Sequence, residues 1–255
     1  LLSRFEPSVR LADMVLPNEL KTKLERVIHE HRQREALLIY NLRPRRKLLL
    51  IGPPGTGKTM TAQALAGELH LPLLTVTLEG VISKYMGETA SKLKLIFEAM
   101  GSVPGVYFFD EFDAIGAKRT NTNDVGEIRR VLNSFLQLIE NDWSESLVVA
   151  ATNHPELLDP ALFRRFDDVM EYDLPDRETS ELILKNSLSL FDTKNIKWRF
   201  VLDAIKGMSQ AEITKVALEA AKLSVLDSRT KIRNKDFEIV LLDRSELLKG
   251  NVTVP

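Results

Sequence analysis

The stretch Gly52-Pro53-Pro54-Gly55-Thr56-Gly57-Lys58-Thr59 constrains this chain more than any other. It follows the apolar run Leu48-Leu49-Leu50-Ile51 and leads into the helix-forming stretch Met60 to Leu69. A G-x-x-x-x-G-K-[ST] pattern between a strand and a helix turns successive backbone N–H groups inward around phosphate oxygens. The helix start adds unpaired N–H groups and the positive end of its dipole. Lys58 is placed to reach the β- and γ-phosphates and the Thr59 hydroxyl to hold Mg²⁺. The plain alternative, a glycine-rich turn that merely joins strand to helix, explains neither the lysine nor the two flanks.

A chain of 255 residues suits one large α/β domain with a smaller satellite. Lys and Arg number 35 against 36 Asp and Glu, so the overall balance predicts neither a nucleic-acid nor an anionic-membrane partner. There is no cysteine, which excludes disulfides, zinc–thiolate sites and thiol catalysis and is compatible with a reducing cytoplasm, the expected location. No apolar run approaches the ~20 residues of a membrane span, and no signal peptide opens the chain. It begins Leu1-Leu2 rather than with Met, which suggests that an N-terminal segment has been removed.

Residues 1–15 read as a linker of mixed character. Pro17-Asn18-Glu19 opens a helix with Leu20, Leu24, Val27 and Ile28 on one face, expected to continue toward Tyr40. The stretch His29 to Lys47 is rich in Arg, but Glu30 and Glu35 are interleaved and Tyr40 is its only aromatic, so it reads as a solvated face rather than a nucleic-acid site. Leu73 to Thr77 is a strand. The loop Ser83 to Thr89 then carries Tyr85 and Met86 before a helix bearing Leu93, Ile96, Phe97 and Met100; packing inward and exposure are equally compatible with that pair.

Val106 to Phe109 is a near-continuous apolar run ending in Asp110-Glu111, as expected of a parallel strand covered on both faces, and ligands of such sheets lie beyond the carboxyl ends of the strands. Asp110 is assigned to Mg²⁺ and Glu111 to polarising the hydrolytic water. The strand Leu147 to Ala151 ends in Thr152-Asn153, where a neutral amide can bond both a γ-phosphate oxygen and the water. Leu158 to Asp167 brings Arg164 and Arg165 to a loop before the strand Val169 to Tyr172, and a guanidinium suits a phosphoryl group, the chain's own or a neighbour's. Beyond Leu174-Pro175-Asp176 only helices are expected. Asp176 caps one carrying Leu182, Ile183 and Leu188, and Ser209 to Glu212 is a capping box.

From about Phe5 to Leu242 the chain resembles the AAA ATPases. Gly52 to Thr59, running into Met60, matches the family's first nucleotide motif (Walker A), and Phe108 to Glu111 matches the second (Walker B). Ala151-Thr152-Asn153 looks like the first sensor. Leu158 to Asp167 is similar to the second region of homology, whose arginine fingers enter the adjacent subunit's site. Ser83 to Gly87 resembles the first pore loop, which implies exposure of Tyr85 and Met86. Adjacent Arg164 and Arg165 without an intervening glycine look like the katanin, spastin and vacuolar-sorting branch. The resemblance also implies that Asp13, Val15, Gly207 and Ala211 lie near adenine and ribose, although Val15 and Leu16, after Asp13-Met14, stand where the family usually has glycines, and Gln210 replaces another.

Together these features imply a parallel-sheet α/β nucleotide domain at 1–174 and a small helical lid at 175–255. The expected activity is Mg²⁺-dependent ATP hydrolysis, with Lys58, Glu111, Asn153, Arg164 and Arg165 catalytic. The implied partners are a protein substrate and other copies of the chain, in a hexameric ring that remodels or unfolds protein chains. The alternative is a nucleotide-gated scaffold that regulates a partner by ATP-dependent assembly without threading. A nucleic-acid motor shares the phosphate chemistry and lacks support in charge or motif.

Overall fold

The computed structural model describes residues 2–81, 86–116 and 125–250. In chain order the elements are β1 (Leu2–Phe5), α1 (Asn18–Arg32), α2 (Arg34–Ile39), β2 (Lys47–Ile51), α3 (Lys58–Leu69), β3 (Leu73–Val76), α4 (Leu78–Val81), α5 (Met86–Ser102), β4 (Val106–Phe109), α6 (Asp113–Gly116), α7 (Val125–Asn141), β5 (Leu147–Thr152), α8 (Pro160–Phe163) and β6 (Asp168–Glu171). The helices α9 (Arg177–Ser187), α10 (Trp198–Ala204), α11 (Gln210–Leu226) and α12 (Asn234–Gly250) follow. Two compact units divide between Tyr172 and Asp173.

Alternation along the strands explains why the first unit has two core layers around one sheet. Leu48, Leu50, Val106, Phe108, Leu147, Val149 and Ala151 face α1 and α3, where Leu24, Val27, Ala62 and Leu65 meet them. Leu49, Ile51, Tyr107, Phe109, Val148 and Ala150 face α5 and α7, meeting Leu93, Ile96, Phe97, Phe135 and Ile139. Phe135 sits at the centre of that second layer, with its ring centroid 5.6 Å from Phe109, 5.7 Å from Phe97 and 4.9 Å from Phe112.

The sheet order is β1-β3-β4-β5-β2-β6. All neighbours from β3 to β6 pair in parallel, so their carboxyl ends share one edge. One strand departs from the expected all-parallel sheet. β1 pairs antiparallel with β3, Leu2 opposite Val76 and Phe5 opposite Leu73. Only its Leu2 is part-buried, so main-chain pairing, not a hydrophobic pattern, defines it.

The first long helix also stops earlier than its apolar spacing suggests. Gln33 leaves helical geometry (φ −100°, ψ 18°) and separates α1 from α2, which buries no residue. The basic stretch that follows is engaged with carboxylates of its own chain: Arg32 with Glu68, Arg34 with Glu145, Arg45 with Glu30 and Asp168, and buried Arg46 with Asp142. Much of the stretch is exposed, as a solvated face requires, but Arg46 is buried, and of the interleaved acids only Glu30 is among these partners.

In the second unit, Asp176 accepts the Thr179 N–H at 2.8 Å and caps α9. That helix buries Ile183 and Leu184, with Leu188 following it into the core, but Leu182 is exposed. One residue before Ile183, and so about 100° around the helix from it, Leu182 lies off the buried stripe. The Ser209 hydroxyl accepts the Glu212 N–H and the Glu212 carboxylate accepts the Ser209 N–H at 2.7 Å, forming both halves of the capping box of α11. Ile213, Val216, Ala217 and Ala220 are buried behind it.

Candidate nucleotide-binding site

Parallel register assembles the site. Ile51 pairs with Thr152, and Phe109 with Ala150, so the residues that follow β2, β4 and β5 emerge along one edge: Gly52, Asp110 and Asn153. β5 lies between the strands of the phosphate loop and the carboxylate pair, which puts Asn153 between the two.

Gly52 to Gly57 arch over the start of α3. A Cβ on Gly52 would lie 2.0 Å from the Tyr172 carbonyl oxygen, so glycine is required there by contact. Gly57 has φ +106° and directs its neighbours' N–H groups around the turn into the helix. The Thr56 hydroxyl donates to the Pro53 carbonyl at 2.8 Å. Pro54 and Gly55 form the exposed crest, and Met60 packs partly against the α1–α3 core layer. Lys58 is buried, and its Nζ donates to the carbonyls of Gly52 (2.7 Å) and Pro53 (2.8 Å) inside the arch. Burial pushes its ammonium below the usual lysine range, opposed by Asp110. An under-solvated cation held among carbonyls gains by meeting phosphate oxygens.

Thr59 Oγ1 and Asp110 Oδ2 stand 3.4 Å apart. Two hard oxygen donors side by side suit Mg²⁺, which keeps several waters and takes substrate phosphate oxygens instead of a full protein cage. Glu111 is exposed beside them, and its N–H donates to Asp110 Oδ1 at 3.0 Å. Its backbone lies in the left-handed region at φ +50°, a strained setting for a glutamate. Asp110 turns toward Thr59, while the Glu111 carboxylate has no protein partner among the described residues.

Two groups of supporting contacts were not legible in the sequence, one around Asn153 and one beneath the phosphate loop. The Thr152 hydroxyl donates to Asp113 Oδ1 at 2.7 Å and accepts the His154 N–H at 2.9 Å, bracketing Asn153 from both sides. The Phe112 N–H donates to the Ala151 carbonyl at 2.8 Å, tying the segment after β4 to β5. The second group is the Tyr172–Thr61 hydrogen bond of 2.6 Å beneath the phosphate loop. The short D-E-x-D spacing from Asp110 to Asp113 was a partial hint of the first; nothing in the sequence announces the second.

Other expected residues fall in varied places. Asp13 closes its own turn by accepting the Arg10 N–H at 2.8 Å, Met14 packs against Thr61, and Val15 is half-buried. Gly207 (φ +82°) and Ala211 belong to the second unit, at the turn before α11 and at its start. Met86 opens α5, and Tyr85 lies outside the described residues. Arg164 is exposed and has no partner among the described residues, whereas Arg165 pairs with Glu140 at the end of α7. Glu140 is close in sequence to Asp142, which holds Arg46 at the amino end of β2. The phosphate loop begins at the other end of that strand, about 16 Å away.

A glycine-rich loop closing on a buried lysine, a carboxylate pair beside the Thr59 hydroxyl and a polar strand end between them form the arrangement of a phosphate-loop nucleoside triphosphatase. Residues 48–174 match the model of the ATPase family associated with various cellular activities (AAA). Over 253 residues the chain is 36% identical to an uncharacterized AAA family ATPase, y4kL, of Sinorhizobium fredii, covering 98% of this chain and 75% of that protein. It is 39% identical over 202 residues to the proteasome-activating nucleotidase of Pyrococcus abyssi, and 33% identical over 243 residues to the ATP-dependent zinc metalloprotease FtsH 4 of Sphaerobacter thermophilus. The chain spans 51% and 37% of those two relatives. The chain belongs to the AAA family and is an ATPase of that family.

Proposed function

We propose that the chain uses ATP hydrolysis to remodel or unfold protein chains as a subunit of a ring, a hexamer, whose sites are completed between neighbours. The observation that carries the shared site is the distance between the phosphate loop at the carboxyl edge of β2 and Arg165 near its amino end. A side chain there is out of reach of its own phosphates and can serve another copy's by exchanging Glu140 for them. The names of the relatives, a proteasome-activating nucleotidase and a protease, support protein chains as the substrate class. Placement in the katanin, spastin and vacuolar-sorting branch rests on the adjacent Arg164 and Arg165 alone, against relatives of other names. Among the described residues no helix is long and apolar enough to cross a membrane.

In the proposed mechanism, backbone N–H groups of Gly55 to Thr59 and the Lys58 ammonium bind the β- and γ-phosphates, exchanging the Gly52 and Pro53 carbonyls for phosphate oxygens. Mg²⁺, held by Thr59 and Asp110, would neutralise charge on those oxygens. Asn153 orients the water, and the Glu111 carboxylate takes its proton as the oxygen attacks the γ-phosphorus. The β–γ bridging bond breaks, leaving ADP and phosphate. Arg164 and Arg165 of a neighbour stabilise the charge on the transferring group.

Mixing tests the shared site. Glu111→Gln subunits have a dead site and good arginines; Arg164→Ala/Arg165→Ala subunits have the reverse and should be depressed by the ~10³–10⁵ that an arginine in trans can supply. A mixed ring should recover hydrolysis at those interfaces that pair an intact site with intact arginines. Absence of recovery at every ratio, with mixed rings demonstrated, would overturn the in-trans role.

A further inference from the structure

Tyr172 touches both ends of the phosphate loop. Its main chain receives the start: the Tyr172 N–H donates to the Ile51 carbonyl at 2.8 Å, and its own carbonyl lies where a Cβ on Gly52 would be. Its side chain reaches the finish. The phenol oxygen is 2.6 Å from Thr61 Oγ1, and Thr61 Oγ1 is 3.1 Å from the carbonyl of Gly57, the last glycine of the loop. Thr61 has one hydroxyl proton, and a carbonyl is the better acceptor, so the proton order is Tyr172 O–H to Thr61, then Thr61 O–H to Gly57.

Both side chains are buried, Thr61 fully and Tyr172 at 3% exposure. In such surroundings a hydrogen-bonded pair is strongly held, because each partner loses water without replacement if the other is removed. Burial pushes the phenol above its ordinary range, so the hydroxyl stays protonated and remains a donor wherever the protein is folded. The chain had no local need of a phenol here: Phe would fill the same space against the α1–α3 core layer.

We propose that Tyr172 is a positioning residue of the nucleotide site, a clasp whose backbone seats Gly52 and whose hydroxyl, through Thr61, holds Gly57. It fixes the span of the phosphate loop before nucleotide arrives. The inference rests on the reading of Gly52 to Thr59 as the phosphate site. Preorganisation of this kind raises affinity by removing the cost of ordering the loop on binding.

The experiment measures ADP affinity by titration calorimetry in the presence of Mg²⁺, together with melting temperature, for the parent chain and five variants. Tyr172→Phe and Thr61→Val should each weaken ADP binding about three- to tenfold, the span to which one hydrogen bond of ordinary net strength corresponds. The double variant should be no weaker than the weaker single, since both remove the same connection. Thr61→Ser retains the hydroxyl and should bind within about twofold of the parent, a rescue that a packing role would not give. Lys58→Ala, the control for the site, should lose binding. Unchanged ADP affinity in Tyr172→Phe alongside a lowered melting temperature would overturn the clasp and leave the phosphate site intact. ADP binding by Lys58→Ala at parental strength would overturn the site reading itself, and the clasp with it.

Discussion

Glu111 is the residue whose backbone and side chain pull against each other. The left-handed conformation at φ +50° costs a non-glycine residue about 1–2 kcal/mol, yet a glutamate stands there, its carboxylate without a protein partner among the described residues. Glu111→Gly should relieve the strain, with roughly 0.5–1 kcal/mol returned to the unfolded chain as entropy. Its melting temperature should therefore hold or rise while ATP turnover is lost. Glu98→Gly, in the exposed interior of α5, should lower the melting temperature by the equivalent of about 1 kcal/mol. Thermal melts of the two variants compare them directly, and a larger loss in Glu111→Gly would show that the turn is not strained. The place of Glu111 at the carboxyl edge was legible in the sequence, because the carboxylate pair directly follows an apolar run that reads as a buried parallel strand. Its backbone state was not, because non-glycine residues enter that region only where the surroundings force them. The Tyr172–Thr61 contact was hidden for another reason: its partners are separated by 111 positions, and neither residue type implies the other.

Elements were readable where burial is two-sided. β2, β4 and β5 are nearly continuous apolar runs, and a chain that buries both faces of a strand has little freedom to do otherwise. β1 left no such trace, since an edge strand can be held by main-chain pairing with one side chain part-buried. The break at Gln33 was equally silent, for neither glycine nor proline marks it. Caps were legible because their chemistry is local, and the capping box of α11 carries a pH signature. The Ser209 N–H, with help from the Ser209 hydroxyl and Arg244, holds the Glu212 carboxyl below its ordinary value of 4.5 despite partial burial. A depressed acid contributes stability that is complete above the unfolded value and is lost as pH falls through the folded one. Glu212→Gln keeps a neutral acceptor and removes the titration. Its melting temperature should fall less than the parent's between about pH 6 and about pH 3, with the difference growing below the ordinary glutamate range. Parallel acid limbs for parent and variant would show that this carboxylate does not contribute to the acid response.

At the scale of the molecule, the two edges of the sheet divide the labour. In the proposed reading the carboxyl edge binds and cleaves ATP, while the Arg165 end, a strand length away, serves another copy. In such a ring each hydrolysis event changes what a neighbour feels, and work on a protein chain requires a part that moves with the site. The segment just before α5 is where the sequence puts Tyr85. α5 itself is clamped into the core by Leu93, Ile96, Phe97 and Met100, so a displacement of the core would carry the start of the helix with it. An aromatic ring grips an extended polypeptide with little regard for sequence. Tyr85→Ala should therefore abolish remodelling of a protein substrate and collapse the stimulation of ATP hydrolysis by that substrate to a ratio of about one, the loss expected when an aromatic anchor is truncated. The scaffold alternative predicts a different pattern, because ATP-dependent assembly depends on the phosphate loop and the arginines and not on this segment. Ring formation with ATP, substrate stimulation and partner regulation can all be measured on one Tyr85→Ala preparation. Loss of stimulation with rings intact supports threading; full regulation of the partner at parental strength, with substrate stimulation also intact, would mean that the ring acts through assembly and grips nothing at its centre.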